Sequence, residues 1–186
     1  FPPQNPDLKP EKLMNYELSF TQRLLGGALS YGVNVFYIDG DNMIQMVPVN
    51  GRPMNINTGK IENWGVEGDV SYRINPVWAV SANYSYLHMK YPVVAAPEHK
   101  LYADVDFSLR RWKASTGMQY VHGLYTAVKP VTTDNFLLWN ANVTFRATKW
   151  IDLFVRGENL LAQRYEINAG FPMPKATALG GINVNF

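Results

Sequence analysis

The chain has 186 residues, 47% hydrophobic and 13% aromatic, with 17% charged where a soluble domain averages about 25%. Lys+Arg 17 against Asp+Glu 15 leaves a formal net charge of +2, without the clustered basic face of a nucleic-acid binder, and the lack of cysteine excludes a disulfide framework, a thiolate zinc site and a Cys nucleophile. The longest apolar stretches, such as Val93 to Ala96, fall far short of the ~20 residues of a spanning helix, which leaves a β-barrel as the membrane solution. Phe1 opens no basic segment followed by an apolar one, so a signal peptide is expected to be already removed or never part of this segment.

Period-2 alternation recurs along the chain and marks strands. Tyr16, Leu18 and Phe20 alternate with Glu17 and Ser19, and a turn is expected at Gly26-Gly27. Leu29, Tyr31, Val33, Val35 and Tyr37 form the next apolar face, with Phe36 as an exception. A long connection is expected from Asp39 to Asn63, after which Trp64, Val66, Val70 and Tyr72 alternate with Glu67, Asp69 and Arg73. A short turn at Asn75-Pro76 leads to Trp78, Val80, Ala82, Tyr84 and Tyr86. A second long connection, Leu87 to Lys100, precedes the clearest alternation, Leu101, Ala103, Val105, Phe107 and Leu109 against Tyr102, Asp104, Asp106 and Ser108. Arg110-Arg111 turns the chain into Trp112, Ala114, Met118 and Tyr120, and a third long connection is expected from Gly123 to Asn135. Trp139, Ala141, Val143 and Phe145 follow, then a turn at Thr148-Lys149 and the run Ile151, Leu153, Val155. A last long connection, Gln163 to Lys175, leads to Ile182, Val184 and Phe186. This makes about nine strands of bilayer-crossing length.

Short and long connections alternate, as in barrels with tight periplasmic turns and long extracellular loops. Tyr72, Trp78, Trp112 and Trp150 flank the short turns, while Trp64, Tyr86, Tyr120 and Trp139 lie nearer the long ones. These are the places of two interfacial aromatic girdles. A soluble β-sandwich would also satisfy the charged face but explains neither the girdles nor the loop asymmetry. With long loops outside, the first and last strands both run inward, and Phe1 to Lys12 belongs to an extracellular loop. An odd strand count is not that of a complete bacterial barrel, so the chain is expected to be the C-terminal part of a larger one.

Several segments resemble the C-terminal part of the TonB-dependent outer-membrane receptor family. They are Asn5-Pro-Asp-Leu-Lys-Pro-Glu11 with Asn15-Tyr-Glu-Leu, Asn57-Thr-Gly-Lys-Ile-Glu-Asn-Trp-Gly-Val-Glu67, and Ala96-Pro-Glu-His-Lys-Leu101. Glu158-Asn-Leu-Leu, Tyr165-Glu166, Gly170-Phe-Pro-Met-Pro174 and a terminal Phe complete the set. Lys175 departs from the Gly more usual after that Pro. Each motif alone is weak, since Asn, Gly and Pro are ordinary turn residues; their order and spacing make the match specific. The resemblance implies an all-β, transmembrane, antiparallel up-and-down barrel of about 22 strands, of which residues 1–186 carry the last nine or so. It implies an outer-membrane location in a Gram-negative bacterium, and uptake of a scarce nutrient: an iron–siderophore complex, haem or a cobalamin. The plug, the earlier strands and the segment that engages TonB are expected to be absent from this stretch. Partners implied are outer-membrane lipid, the TonB complex through the missing plug, the barrel-assembly machinery and a metal-chelate or vitamin ligand. No enzyme activity, cofactor or nucleic-acid partner is expected. A complete eight-stranded barrel with a structural or adhesive role is the alternative; it requires Asn15 to Leu25 not to span.

Candidate ligand contacts are the exposed apolar or cationic groups of the long loops: Met43, Met46, Arg52, Tyr91, Tyr125 and Lys129. Ile182, Val184 and Phe186 are the expected barrel-assembly signal. His88, His99 and His122 lack zinc-site spacing, and no catalytic or metal residue is assigned. Asp39-Gly40-Asp41-Asn42 is expected to be a hairpin or bulge turn rather than a calcium loop. Asp104 and Asp106 are expected to pack in the lumen with Arg73 or Lys113, not to act as an acid–base pair. Ser85 and Ser115 lack the elbow motif of a hydrolase nucleophile.

Overall fold

The computed structural model describes residues 5–185. The strands are β1 (Lys12–Leu24), β2 (Leu29–Val49), β3 (Arg52–Arg73), β4 (Trp78–Met89), β5 (His99–Leu109), β6 (Trp112–Val128), β7 (Val131–Arg146), β8 (Ile151–Glu158), β9 (Glu166–Asn168), β10 (Phe171–Pro172) and β11 (Thr177–Val184). Nine of them form one antiparallel up-and-down sheet in the order β1-β2-β3-β4-β5-β6-β7-β8-β11, and β9 pairs only with β10. The sheet is open, with β1 and β11 as its two edges. Asn15 to Leu24 therefore lies within strand β1, which is in register with β2 from Lys12↔Asp41 to Leu24↔Leu29, and the condition for an eight-stranded barrel is not met.

The register brings the alternating residues into two faces. On one face, Leu18, Val35, Val66, Tyr86 and His99 lie in a row across β1 to β5. On the other, Asn34, Glu67 and Ser85 are neighbours, and so are Asp106, Ser115, Asn142 and Arg156. Among the described residues nothing packs on the apolar face: Leu18 is 73% exposed, Val155 63% and Ile182 64%. A sandwich would bury these side chains under a second sheet. The exposed apolar face is that of a membrane-spanning barrel wall.

Side chains that break the alternation are accommodated across strands. Phe36 lies on the polar face opposite Gly65, where a Cβ would come within 2.5 Å of the Phe36 ring and of the Tyr86 carbonyl. Phe154 covers Gly181 in the same way, an aromatic side chain filling the space a glycine leaves on the next strand. Polar groups on the apolar face are satisfied within the sheet, as hydrocarbon requires. The Tyr31 hydroxyl donates to Gln22 Oε1, and Trp139 Nε1 donates to Thr116 Oγ1 at 2.7 Å.

All four expected short turns are where the strands reverse. Two of the four long connections differ from expectation. Between Asp39 and Asn63 the ladder of β2 and β3 continues to a two-residue turn at Asn50-Gly51, both at positive φ (51° and 77°). This is the Asn-Gly hairpin geometry whose twist matches the flanking strands. Between Gly123 and Asn135, β6 and β7 likewise continue to a turn at Lys129-Pro130. Neither segment keeps a clean alternation, because register shifts between Gly40 and Met43 and between Val121 and Leu124 switch side chains from face to face. Asp39-Gly40-Asp41-Asn42 is thus a bulge, with Asn42 at φ 59°.

Gly65→Ala is expected to destabilise the sheet by about 1–3 kcal/mol, read as a lower midpoint of denaturant unfolding. Gly68→Ala, whose Cβ would meet only a carbonyl at 3.8 Å, leaves the midpoint nearly unchanged.

Candidate functional site

The buried apolar cluster of the described residues lies at the end of the sheet formed by the long hairpins. Val121, Leu124 and Phe136 of β6 and β7 are buried there, with Leu138, Tyr165 and Ile167 packed against them. Val121, Phe136 and Leu138 belong to the polar face by register, so the segment between β8 and β11 folds back over that face. The Phe136 and Tyr165 rings are 4.3 Å apart. The Ala169 amide donates to the Thr126 carbonyl at 3.0 Å and the Glu166 amide to Asp134 Oδ2 at 2.9 Å.

Asn159 ties this returning segment at its base. It is 5% exposed, with the left-handed φ of 48° that asparagine tolerates better than most residues. Its backbone amide donates to Asn140 Oδ1 at 2.9 Å. Its side-chain Nδ2 donates to the carbonyls of Gln163 (2.9 Å) and Pro174 (3.1 Å), and its Oδ1 accepts from the Gln163 amide at 3.0 Å. One side chain thereby joins both ends of the segment, which gives Asn159 within Glu158-Asn-Leu-Leu its structural role.

The docked segment encloses a cavity of about 500 Å³ lined by Asp134, Arg164, Tyr165, Glu166, Met173 and Lys175, among others. A smaller one of about 310 Å³ continues past Asn140, Glu158 and Asn159. Farther along the polar face, Asp104, Asp106, Asn142 and Arg156 line a third of about 360 Å³. Burial first, and the nearby Glu158 carboxylate second, push the Tyr165 hydroxyl above its ordinary 10.0, so it stays a neutral donor beside Arg164 and Lys175. Two cations, two carboxylates, an aromatic hydroxyl and a thioether line the mouth, a mixed surface that can hold a polar, partly aromatic ligand.

The residues expected to contact ligand are not gathered into this cavity. Met43 packs against Gly40 and Gly59 at the bulge, Met46 is 62% exposed, and Arg52 begins β3 at the hairpin tip. Tyr91 is in the β4–β5 connection beside Lys90. Tyr125 pairs with Thr133, and Lys129 is at the β6–β7 turn. Arg164, Glu166 and Asp134 carried no pattern that sequence reasoning could use, because their proximity arises from the fold-back; Tyr165-Glu166 was visible only as part of a motif.

Trp64, Trp78, Trp112, Trp139 and Tyr72 all project from the apolar face by register. Trp150 stands at the β7–β8 turn under Lys149, whose Nζ is 4.6 Å from the ring centre. Ile182 and Val184 are on the apolar face of β11 opposite Leu153 and Ile151; Phe186 lies outside the described residues. On the polar face, the Ser81 hydroxyl donates to Asp104. Among the described residues the ion pairs join Lys60–Asp41, Lys90–Glu62 and Arg146–Asp152, so the expected pairing of Asp104 or Asp106 with Arg73 or Lys113 is not formed.

A single-layer meander with one lipid-type face, one wet face and a mouth built from a returning loop is the wall of a transmembrane β-barrel. Residues 1–160 match the family described as TonB dependent receptor-like, beta-barrel, and the chain belongs to that family. No curated protein matches at the level of sequence. Solved structures share the fold: the ferric-catecholate import receptor Fiu of E. coli K12 (21% identity, TM-score 0.75) covers 98% of this chain, which spans 29% of Fiu. The siderophore receptor PiuA of Acinetobacter baumannii (17%, 0.79) covers 94%, and the chain spans 28% of it. The FrpB iron transporter of Neisseria meningitidis (15%, 0.78) covers 97%, and the chain spans 32% of it. The chain therefore spans less than a third of each of these proteins. Barrels of this family are outer-membrane proteins of Gram-negative bacteria, and the family is one of receptors and transporters.

Asn159→Ala is expected to cost about 1–3 kcal/mol of local stability through the buried groups it leaves unpaired. Hydrogen exchange at the Gln163 and Ala169 amides should accelerate while that in β3 and β4 does not. Because the docked segment raises the Tyr165 pKa, docking contributes fully below pH 10.0 and is lost as pH rises through the elevated value. Tyrosinate absorbance should show Tyr165 ionising above the range of a solvent-exposed tyrosine, with the segment's amides losing protection together.

Proposed function

We propose that residues 1–186 form the C-terminal wall of a TonB-dependent receptor in the outer membrane of a Gram-negative bacterium, completed by earlier strands and a plug outside this stretch. Its role is capture and uptake of a scarce nutrient of the iron–siderophore, haem or cobalamin class. The carrying observation is the fold-back of the β8–β11 segment over the polar face, which builds a mouth of charged and aromatic side chains on the side of the long hairpins. Fiu, PiuA and FrpB, named for ferric-catecholate import, siderophore reception and iron transport, favour an iron chelate within that range. Arg164, Tyr165 and Lys175 are the inner contacts in this reading. Met43, Met46, Arg52, Tyr91, Tyr125 and Lys129 are outer contacts on the hairpins and loop through which a ligand passes. Trp64, Trp139, Tyr72, Trp78, Trp112 and Trp150 sit at the two membrane interfaces, and Ile182, Val184 and Phe186 are read by the assembly machinery. TonB acts through the plug.

The test is growth and radiolabelled uptake by a strain whose only receptor for the nutrient contains this segment. Arg164→Ala with Lys175→Ala should weaken ligand binding about tenfold, or ~1.4 kcal/mol, with unchanged amounts of folded barrel. Uptake indifferent to deletion of the receptor under iron, haem and cobalamin limitation would overturn the reading.

A further inference from the structure

Strand β6 breaks its ladder with β7 twice, and each break is a place where another loop attaches. At the first, Val121 pairs with Phe136 and Leu124 with Asp134, so Gly123 has no partner in β7. Its amide donates instead to Asn135 Oδ1 at 2.7 Å, and its carbonyl accepts from the Glu98 amide at 3.2 Å. Gly123 stands at φ 65°, and a Cβ there would come within 2.9 Å of Glu98 Cβ. At the second break, Tyr125 pairs with Thr133 and Ala127 with Thr132, which leaves Thr126 as the extra residue of a bulge. The Thr126 carbonyl accepts from the Ala169 amide at 3.0 Å. Its hydroxyl braces the bulge, 2.7 Å from Thr132 Oγ1, and the residue is buried.

The loop attached at Gly123 is the β4–β5 connection. Residues 95–98 run alongside β6 beyond the His99↔His122 pair, the Ala95 amide donating to the Tyr125 carbonyl at 2.8 Å and the Tyr125 amide to the Ala96 carbonyl at 3.3 Å. The other end of the connection is tied to β3, where the Lys90 amide donates to the Glu62 carbonyl at 3.0 Å and Lys90 Nζ to Glu62 Oε2 at 2.6 Å. The loop attached at Thr126 is the β8–β11 segment, which carries Arg164, Tyr165 and Lys175. Tyr125 and Thr126 are consecutive, so neighbouring peptide groups hold the two loops. A peptide unit is rigid, and Leu124 beside them is packed in the cluster on which the segment rests. A shift at one attachment therefore turns the other.

We propose that this stretch of β6 is a joint that couples the ligand mouth to the β4–β5 connection, so that ordering of the β8–β11 segment favours ordering of residues 95–98. The coupling is carried by the backbone bonds that both loops make to the same few residues of β6. Such a coupling is reciprocal, so release of either loop loosens the other. Its use rests on the receptor reading: a ligand held by Arg164, Tyr165 and Lys175 stiffens the loop that carries Tyr91, one of the outer contacts.

The test is amide hydrogen exchange in the full-length receptor containing this segment, purified in detergent without added ligand. In Gly123→Ala, whose Cβ displaces Glu98, exchange at the Ala95 and Glu98 amides should rise about tenfold, and exchange at Ala169 should rise with it. In Asn159→Ala, which frees the segment at its base, exchange at Ala169 rises and that at Ala95 and Glu98 should follow. The Lys90 amide, bonded to Glu62 and not to β6, should keep its wild-type rate in both variants, which excludes a general loosening of the barrel. Thr126→Val, which removes the hydroxyl bonded to Thr132, gives the same paired readout should Gly123→Ala not fold. Acceleration confined to the altered loop, or acceleration at Lys90 equal to that at Ala169, overturns the inference. Nutrient uptake by the same receptor is scored separately. A receptor that transports while its two loops exchange independently refutes this inference alone, and one whose loops are coupled but that transports nothing refutes only the receptor reading.

Discussion

Everything in this molecule follows from the demand that a backbone in hydrocarbon satisfies its own N–H and C=O groups. The nine-stranded ladder does this strand by strand, from Lys12↔Asp41 at one edge to Val184↔Ile151 at the other. Once the backbone is paired in one layer, there is no interior core to build, and the side chains divide between two environments. Hence Leu18 and Val155 stand exposed on one face, while Asn142 and Arg156 are neighbours on the other.

The same constraint explains the exceptions. A polar side chain on the apolar face must find a partner within the sheet, as Gln22 does with Tyr31 and Trp139 with Thr116. A ring on the polar face needs room, and Phe36 and Phe154 take it above Gly65 and Gly181. The register shifts near Asn42 and after Val121 end the strict alternation beyond the bilayer-crossing part and let the hairpins bend. Among the described residues, burial of large apolar side chains returns there, where the β8–β11 segment packs on Val121, Leu124 and Phe136, and at Met89.

The mouth and the lipid face thus depend on different physics. At the mouth, water is present, so charged side chains such as Arg164, Glu166 and Lys175 are cheap to place. On the lipid face, an unpaired charge is costly, so aliphatic side chains such as Leu18, Val155 and Ile182 stand there instead.

The sequence by itself determined the strands, their faces and the four tight turns, because alternation and turn chemistry are local and period 2 survives whatever the neighbours do. Its ordered motifs also carried the family resemblance across nearly the whole chain. The hairpin turn at Asn50-Gly51 fell inside an expected long connection, because the bulge at Asn42 moves the apolar positions to the other face and the flanking residues do not alternate. The tertiary structure alone decided where the returning segment docks. Its contacts join Asp134 to Glu166 and Thr126 to Ala169, far apart in sequence and unlinked by any period. Arg164, Tyr165 and Lys175 line one cavity because the segment folds back, and His99 and His122 stand side by side because strand register pairs them.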